Sequence, residues 1–205
     1  MLSKKLFLSS AAFFVLVSLP LIGSVGASSE MWSRTYGGAG QEVAYAVVET
    51  SDGGYAIAGY TNSSGAGYDD FWLVKTDAYG NMEWNQTYGG VGSERAYSLV
   101  VTSDGGFALA GGSLLVKTDS HGNMEWNKII GGSIRSLIET SDGGYALTGA
   151  SLLVKTVAYG NMEWDRGYGE YGTSTANSLV ETSDGGYALA GDTNPFGPGG
   201  FDFFW

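Results

Sequence analysis

The sequence predicts an all-β chain, folded as a β-propeller of four-stranded antiparallel blades, about four of them. Three observations carry this. Thr-Ser-Asp-Gly-Gly followed by Tyr or Phe occurs four times, at Asp52, Asp104, Asp142 and Asp184. Asn-Met-Glu-Trp occurs three times, ending at Trp84, Trp126 and Trp164, and alternates with the first phrase. Such alternation makes a tandem array. Finally, runs such as Phe71-Trp72-Leu73-Val74 and Leu114-Leu115-Val116 are apolar on both faces. Strands of that kind need cover on both sides. A lone four-stranded sheet cannot supply it, whereas copies stacked face to face can. A β-solenoid is the alternative, although its repeats are usually shorter.

The elements follow in order. Lys4 and Lys5, an apolar run over 6–22 and Val25-Gly26-Ala27 form the three-part pattern of a secretory signal peptide cleaved after Ala27. The domain reading is a signal peptide over 1–27 and a β-propeller repeat domain over 28–205. Whether cleaved or kept as an anchor, the segment places the repeats outside the cytoplasm, in the extracellular space or at the cell surface. Residues 31–38 then match a fourth strand. The first full unit runs through a strand at 43–48, the hairpin Ser51-Asp52-Gly53-Gly54, a second strand at 55–59 and a polar loop at 61–70. A third strand at 71–76, a turn at 77–81 and a fourth strand at 82–88 complete it. Asp-Gly and Gly-Gly supply the positive φ that tight hairpins need.

Later units keep the strands and shorten the loops. The hairpin aspartates are 52, 38 and 42 residues apart by subtraction of their positions. The second unit passes from Ala110-Gly111-Gly112 almost directly into Ser113-Leu114-Leu115, and the third does the same at Gly149-Ala150-Ser151. Loop 61–70 therefore reads as dispensable for folding. The array is also out of phase with its own repeat. Phe201-Asp202-Phe203-Phe204-Trp205 matches the start of a third strand, with Phe204 and Trp205 at the positions of Phe71 and Trp72. Strand 31–38 laid beside it would close the ring and remove exposed sheet edges. The other readings are a truncated piece of a longer propeller without independent function, and a homodimer in which two chains make one larger ring.

Composition bounds the chemistry. Cys is absent, which excludes disulfides, a Cys nucleophile and a Cys-based zinc site. The net charge is −11, and removing Lys4 and Lys5 with residues 1–27, which hold no acid, makes it −13. That acidity argues against nucleic acid, and against any membrane contact beyond the signal segment. His121 is the sole histidine, in a turn where the other units carry Tyr79 and Tyr159, and reads as a surface residue. Each hairpin offers one Asp beside two Gly, which suits turn geometry better than calcium, whose sites need about six to eight oxygens. Trp32, Trp84, Trp126 and Trp164 recur at one repeat position and read as blade-to-blade packing. Asn62 and Asn85 fit the N-glycosylation acceptor pattern.

The segment 115–126, with its strand, Asp119, Gly122 turn and Trp126, resembles the repeat of quinoprotein-type propellers. The Asp-Gly-Gly-Tyr strand and the later Trp resemble kelch repeats. Over 28–205 the chain is similar to secreted repeat proteins of archaea and bacteria. A fainter likeness to bulb-type lectins lies in the Asp-Gly and Gly-Asn turns, without the sugar-binding pattern of that family. These resemblances imply a propeller. Quinoprotein activity would need a cofactor pocket and a calcium site, and no residues match one, so no cofactor is expected. The expected function is non-catalytic: binding of protein or carbohydrate at the cell surface through loops on one face. A carbohydrate-active hydrolase and a quinoprotein-like oxidoreductase are the enzymatic alternatives. The ligand-binding candidates on the variable loops are Tyr68, Asp69, Asp70, Asp192 and Asp202.

Overall fold

A computed structural model describes residues 13–17, 32–168, 174–193 and 202–204. All regular structure among them is β-strand, in antiparallel sheets. β1 (Phe13–Val17) and β2 (Trp32–Tyr36) pair as a ribbon. β3 (Glu42–Glu49), β4 (Tyr55–Thr61), β5 (Asp70–Thr76) and β6 (Met82–Tyr88) form the first blade as a separate four-stranded sheet. β7 (Ser98–Val101), β8 (Phe107–Thr118), β9 (Met124–Glu139), β10 (Tyr145–Gly149), β11 (Leu152–Thr156) and β12 (Met162–Gly167) form one six-stranded sheet. β13 (Ser174–Glu181), β14 (Tyr187–Thr193) and β15 (Asp202–Phe204) make a three-stranded sheet.

The two-faced apolar strands are covered as expected. Every residue of β4 and β5 is buried, and the core lies between blades rather than within one. One cluster joins Phe71 and Leu73 of the first blade to Phe107, Leu109 and Val116 of the second. The next joins Leu115 of the second to Leu147 and Val154 of the third, and another joins Ala146 and Leu153 of the third to Leu179 of the fourth. Each outer-strand tryptophan packs on the aromatic residue that opens the second strand of the following blade. The pairs are Trp32–Tyr55, Trp84–Phe107, Trp126–Tyr145 and Trp164–Tyr187, with ring centroids 6.2, 5.9, 5.8 and 5.8 Å apart. The indoles therefore bind blade to blade.

Three expectations need correction. First, the second and third units are four-stranded blades as expected, but they join into one continuous sheet. With no loop to part them, β8 carries the second and third strands of its unit through Gly111 and Gly112, and Gly112 takes φ +56°. β9 likewise runs from an outer strand into the inner strand of the next unit through Gly131 and Gly132, at φ +83° and +74°. Second, the last strand sits one residue away from the expected register. Asp202 lies opposite Thr193 and Phe204 opposite Gly191, as Asp70 lies opposite Thr61 and Trp72 opposite Gly59. Phe203 and Phe204 thus hold the positions of Phe71 and Trp72, and Trp205 lies outside the described residues. A one-residue slip exchanges the faces of every side chain, so the register matters. Third, β2 does not pair with β15. Its partner is β1, with Phe13 opposite Tyr36 and Val17 opposite Trp32. That repeats the register of Phe71 opposite Tyr88 and Lys75 opposite Trp84. The apolar Phe13-Phe14-Val15-Leu16-Val17, read above as part of a signal peptide, has the composition of a third strand and occupies that place.

Candidate binding face

The two ends of the blades use their residues differently. At the hairpin end, the repeated residues hold one another. In the first blade Thr50 Oγ1 and the Gly54 N–H donate to Asp52 at 2.5 and 3.0 Å. Lys75, 5% exposed, donates to Asp52, Glu83 and the Thr76 carbonyl at 2.7, 2.8 and 2.9 Å. Lys117 with Asp104 and Glu125, and Lys155 with Asp142 and Glu163, repeat the arrangement. A Cβ on Gly54 would lie 2.1 Å from the Thr76 carbonyl oxygen, so the second Gly of the phrase makes room for this clamp.

The electrostatics agree. Hydrogen bonds, first from Lys75 and then from Thr50, hold the Asp52 carboxyl well below the usual carboxylate range. Burial pushes Asp104 up, but Lys117, Thr102 and the Gly106 N–H outweigh it and bring it to about 2. Burial alone would lower Lys117, yet Asp104 and Glu125 raise it. A charge needs such partners when removed from water. These carboxylates are consumed by a structural network. His121, in the neighbouring turn, is exposed and has Ser120 and Asp119 beside it. No group of three His, Cys, Asp or Glu among the described residues is placed to hold a metal ion.

The opposite end varies from blade to blade. Loop 61–70 is anchored to the link that enters the second blade. Tyr68 N–H donates to the Gly92 carbonyl at 3.0 Å, and the Glu94 N–H donates to the Asp69 carbonyl at 2.5 Å. Asp69 Oδ2 accepts from both Arg95 Nε and Nη2, at 2.9 and 2.7 Å, two charge-assisted bonds converging on one oxygen. Arg95 in turn lies over the Tyr60 ring, 4.6 Å from its centroid. Asp70 is buried and accepts from the Gly67 N–H at 3.0 Å. The two aspartates thus shape the loop, and Tyr68, 77% exposed, is the expected candidate that faces solvent. Asp192 is half-buried and accepts from Asn177 Nδ2 at 3.1 Å. Asp202 occupies the register position of Asp70. Asn62 accepts from the Gln41 N–H, and Asn85 accepts from the Trp72 indole N–H.

Sequence reasoning missed the residues that vary most pointedly. On the inner strands of the first, third and fourth blades one residue is inserted as a β-bulge. Ala44 and Ala46 pair with Gly59 and Ala58, leaving Tyr45 unmatched. Arg135 and Asn177 are the extra residues in the third and fourth blades. Tyr97 stands at the same repeat position in the second blade, just before β7. The bulge follows from close backbone approach: a Cβ on Gly59 would lie 1.7 Å from the Val43 carbonyl oxygen, and Gly111, Gly149 and Gly191 are equally tight. Bulges re-aim side chains and concentrate near functional sites. All four residues are exposed. Tyr45 and Tyr97 meet with centroids 4.8 Å apart. The one available signal was the variable letter x in a repeated phrase that reads Ala-x-Ala or Ala-x-Ser in three units and Ile-x-Ser in the third.

A cleft of about 360 Å³ opens on the outer side between the first two blades, lined among others by Tyr88, Glu94, Leu114 and Ile129. Ser113, where the second blade passes from its second strand to its third without a loop, lines it too, and Ile129 is 74% exposed.

The fold has solved counterparts. A protein of unknown function from Bacteroides caccae superposes with TM-score 0.55 at 13% identity, covering 79% of this chain and 57% of that one. BamB from Moraxella catarrhalis, a β-propeller, gives 0.54 at 11%, covering 80% and 50%. Sqt1 from Chaetomium thermophilum gives 0.53 at 11%, covering 73% and 40%. The chain spans roughly half the length of the structures it resembles. At these identities the likeness is one of fold. No protein-family model and no curated protein matches the sequence.

Proposed function

We propose that this chain is an exported, non-catalytic propeller module that holds a protein or carbohydrate ligand on the face carrying loop 61–70 and the bulge residues. One observation carries the reading. At the hairpin end equivalent positions repeat and their polar groups are engaged with one another, whereas at the bulges equivalent positions read Tyr, Tyr, Arg and Asn and are exposed. A scaffold that repeats its structural residues while varying one exposed position is organised for recognition. Export rests on the signal-peptide pattern, and the acidic charge suits a soluble exposed surface. The test is to incubate the purified, exported protein with immobilised oligosaccharides and with cell-surface protein extracts. Retention of a ligand that is recovered chemically unchanged supports the module. Turnover of a retained glycan would replace it with the hydrolase, and a redox change in a supplied quinone with the oxidoreductase.

A further inference from the structure

The bulge residues stand at one repeat position on the four inner strands and touch in two pairs. Tyr45 lies against Tyr97. Ser98, next to Tyr97, accepts from the Leu137 N–H at 3.1 Å, two residues beyond Arg135. Arg135 Nη1 reaches Asn177 Oδ1 at 3.5 Å, and Asn177 donates to Asp192 at 3.1 Å. The row they make crosses all four inner strands. It is aromatic on the first two blades and polar on the last two. Tyr60, 3% exposed, backs the aromatic half: its centroid is 6.2 Å from that of Tyr45, and Arg95 covers it. Arg135 is exposed, and Nη1 is the guanidinium nitrogen that reaches Asn177.

We propose that this row binds a neutral oligosaccharide, with Tyr45 and Tyr97 stacking on sugar rings and Arg135, Asn177 and Asp192 bonding hydroxyls. The inference rests on the binding reading above and names its ligand class. Exposed tyrosines offer flat apolar faces with a polar tip, which suits the C–H face of a pyranose. Arginine, amide and carboxylate together supply planar donors and acceptors for vicinal hydroxyls. A protein partner fits the row less well, since stable protein interfaces cover about 800 Å² per side. The row is one side chain wide on each blade. The net charge of −11 disfavours an anionic polymer.

The test is calorimetric titration of the exported protein with cellohexaose, chitohexaose and mannohexaose. Binding of at least one is expected. The paired substitution Tyr45→Ala and Tyr97→Ala should weaken it by about tenfold or more, and Arg135→Ala should weaken it severalfold. Tyr79→Ala, exposed at the hairpin end, should change nothing. The substituted side chains are exposed, so equal denaturation midpoints will show that folding is intact. Failure of all three sugars to bind overturns the ligand class. If a protein is nevertheless retained in the assay above, the module reading stands. Sugar binding that survives the paired tyrosine substitution but is lost in Tyr68→Ala overturns the row and moves the ligand to the loop.

Discussion

The first blade and the joined second and third blades are built from the same repeat, yet only the first is a sheet of its own. In the first, loop 61–70 separates the second strand from the third, and Asp69 fastens it to Arg95 on the link that follows. In the second and third, the corresponding loops are missing and the strands run on into a six-stranded sheet. The hairpins, lysine clamps and tryptophan contacts are the same in both regions. The difference shows that the blade core needs no loop. Where a loop is present, it serves the variable face by setting Arg95 over Tyr60 beside the exposed tyrosines.

That comparison can be broken or sharpened by substitution. The largest effect should come from the core that both regions share. Leu109 is fully buried in the cluster between the first and second blades. Leu109→Ala should cost about 3–4 kcal/mol, measured by urea denaturation. A much smaller loss would mean that the first blade is stable without its neighbour.

The clamps should come next. Lys117→Ala should cost about 2 kcal/mol, less than the breaking of a fully buried pair because its carboxylate partners are half-exposed. Their pH behaviour gives a second check. Asp104 titrates lower when folded than when unfolded, so its contribution is complete above about pH 4. It is lost as pH falls toward the folded value of about 2. Acid denaturation of the Lys117→Ala protein should accordingly be flatter between those values. An unchanged acid profile would place the acid sensitivity elsewhere.

Grafting residues 62–69 between Gly112 and Ser113 would give the second blade a loop like that of the first. Loop closure alone costs about 1–2 kcal/mol. A folded protein with that small loss is expected, and collapse of the fold would show that the continuous β8 is required. The smallest effects belong to the loop itself. Tyr68→Ala should leave stability within about 0.5 kcal/mol. Asp69→Ala should chiefly speed amide exchange at Tyr68 and Glu94, whose N–H groups tie loop to link.

Much of this was legible in the sequence, for local reasons. The hairpins could be read because Gly53, Gly105, Gly143 and Gly185 take φ of +81°, +83°, +80° and +83°, which few other residues tolerate. The packing role of the tryptophans could be read from their recurrence. Their partners could not, because Trp84 and Phe107 lie on different blades. Lys75, Lys117 and Lys155 gave no sign of burial, since a strand lysine ordinarily faces water. Only the register opposite Trp84, Trp126 and Trp164 reveals that they point toward two acids. The bulges were hidden because their cause, the approach of Gly59 to the Val43 carbonyl, lies across a strand pair.

The amino-acid order by itself determined the repeat, the turns and the strands, since each depends on a few neighbouring residues and their allowed dihedrals. Tertiary structure decided which sheets fused, which strand lay against Trp32–Tyr36, and which residue of each inner strand was turned outward. Those outcomes depend on pairing and close packing between segments far apart in the chain, where several apolar strands of similar composition compete for one edge and only their register distinguishes them.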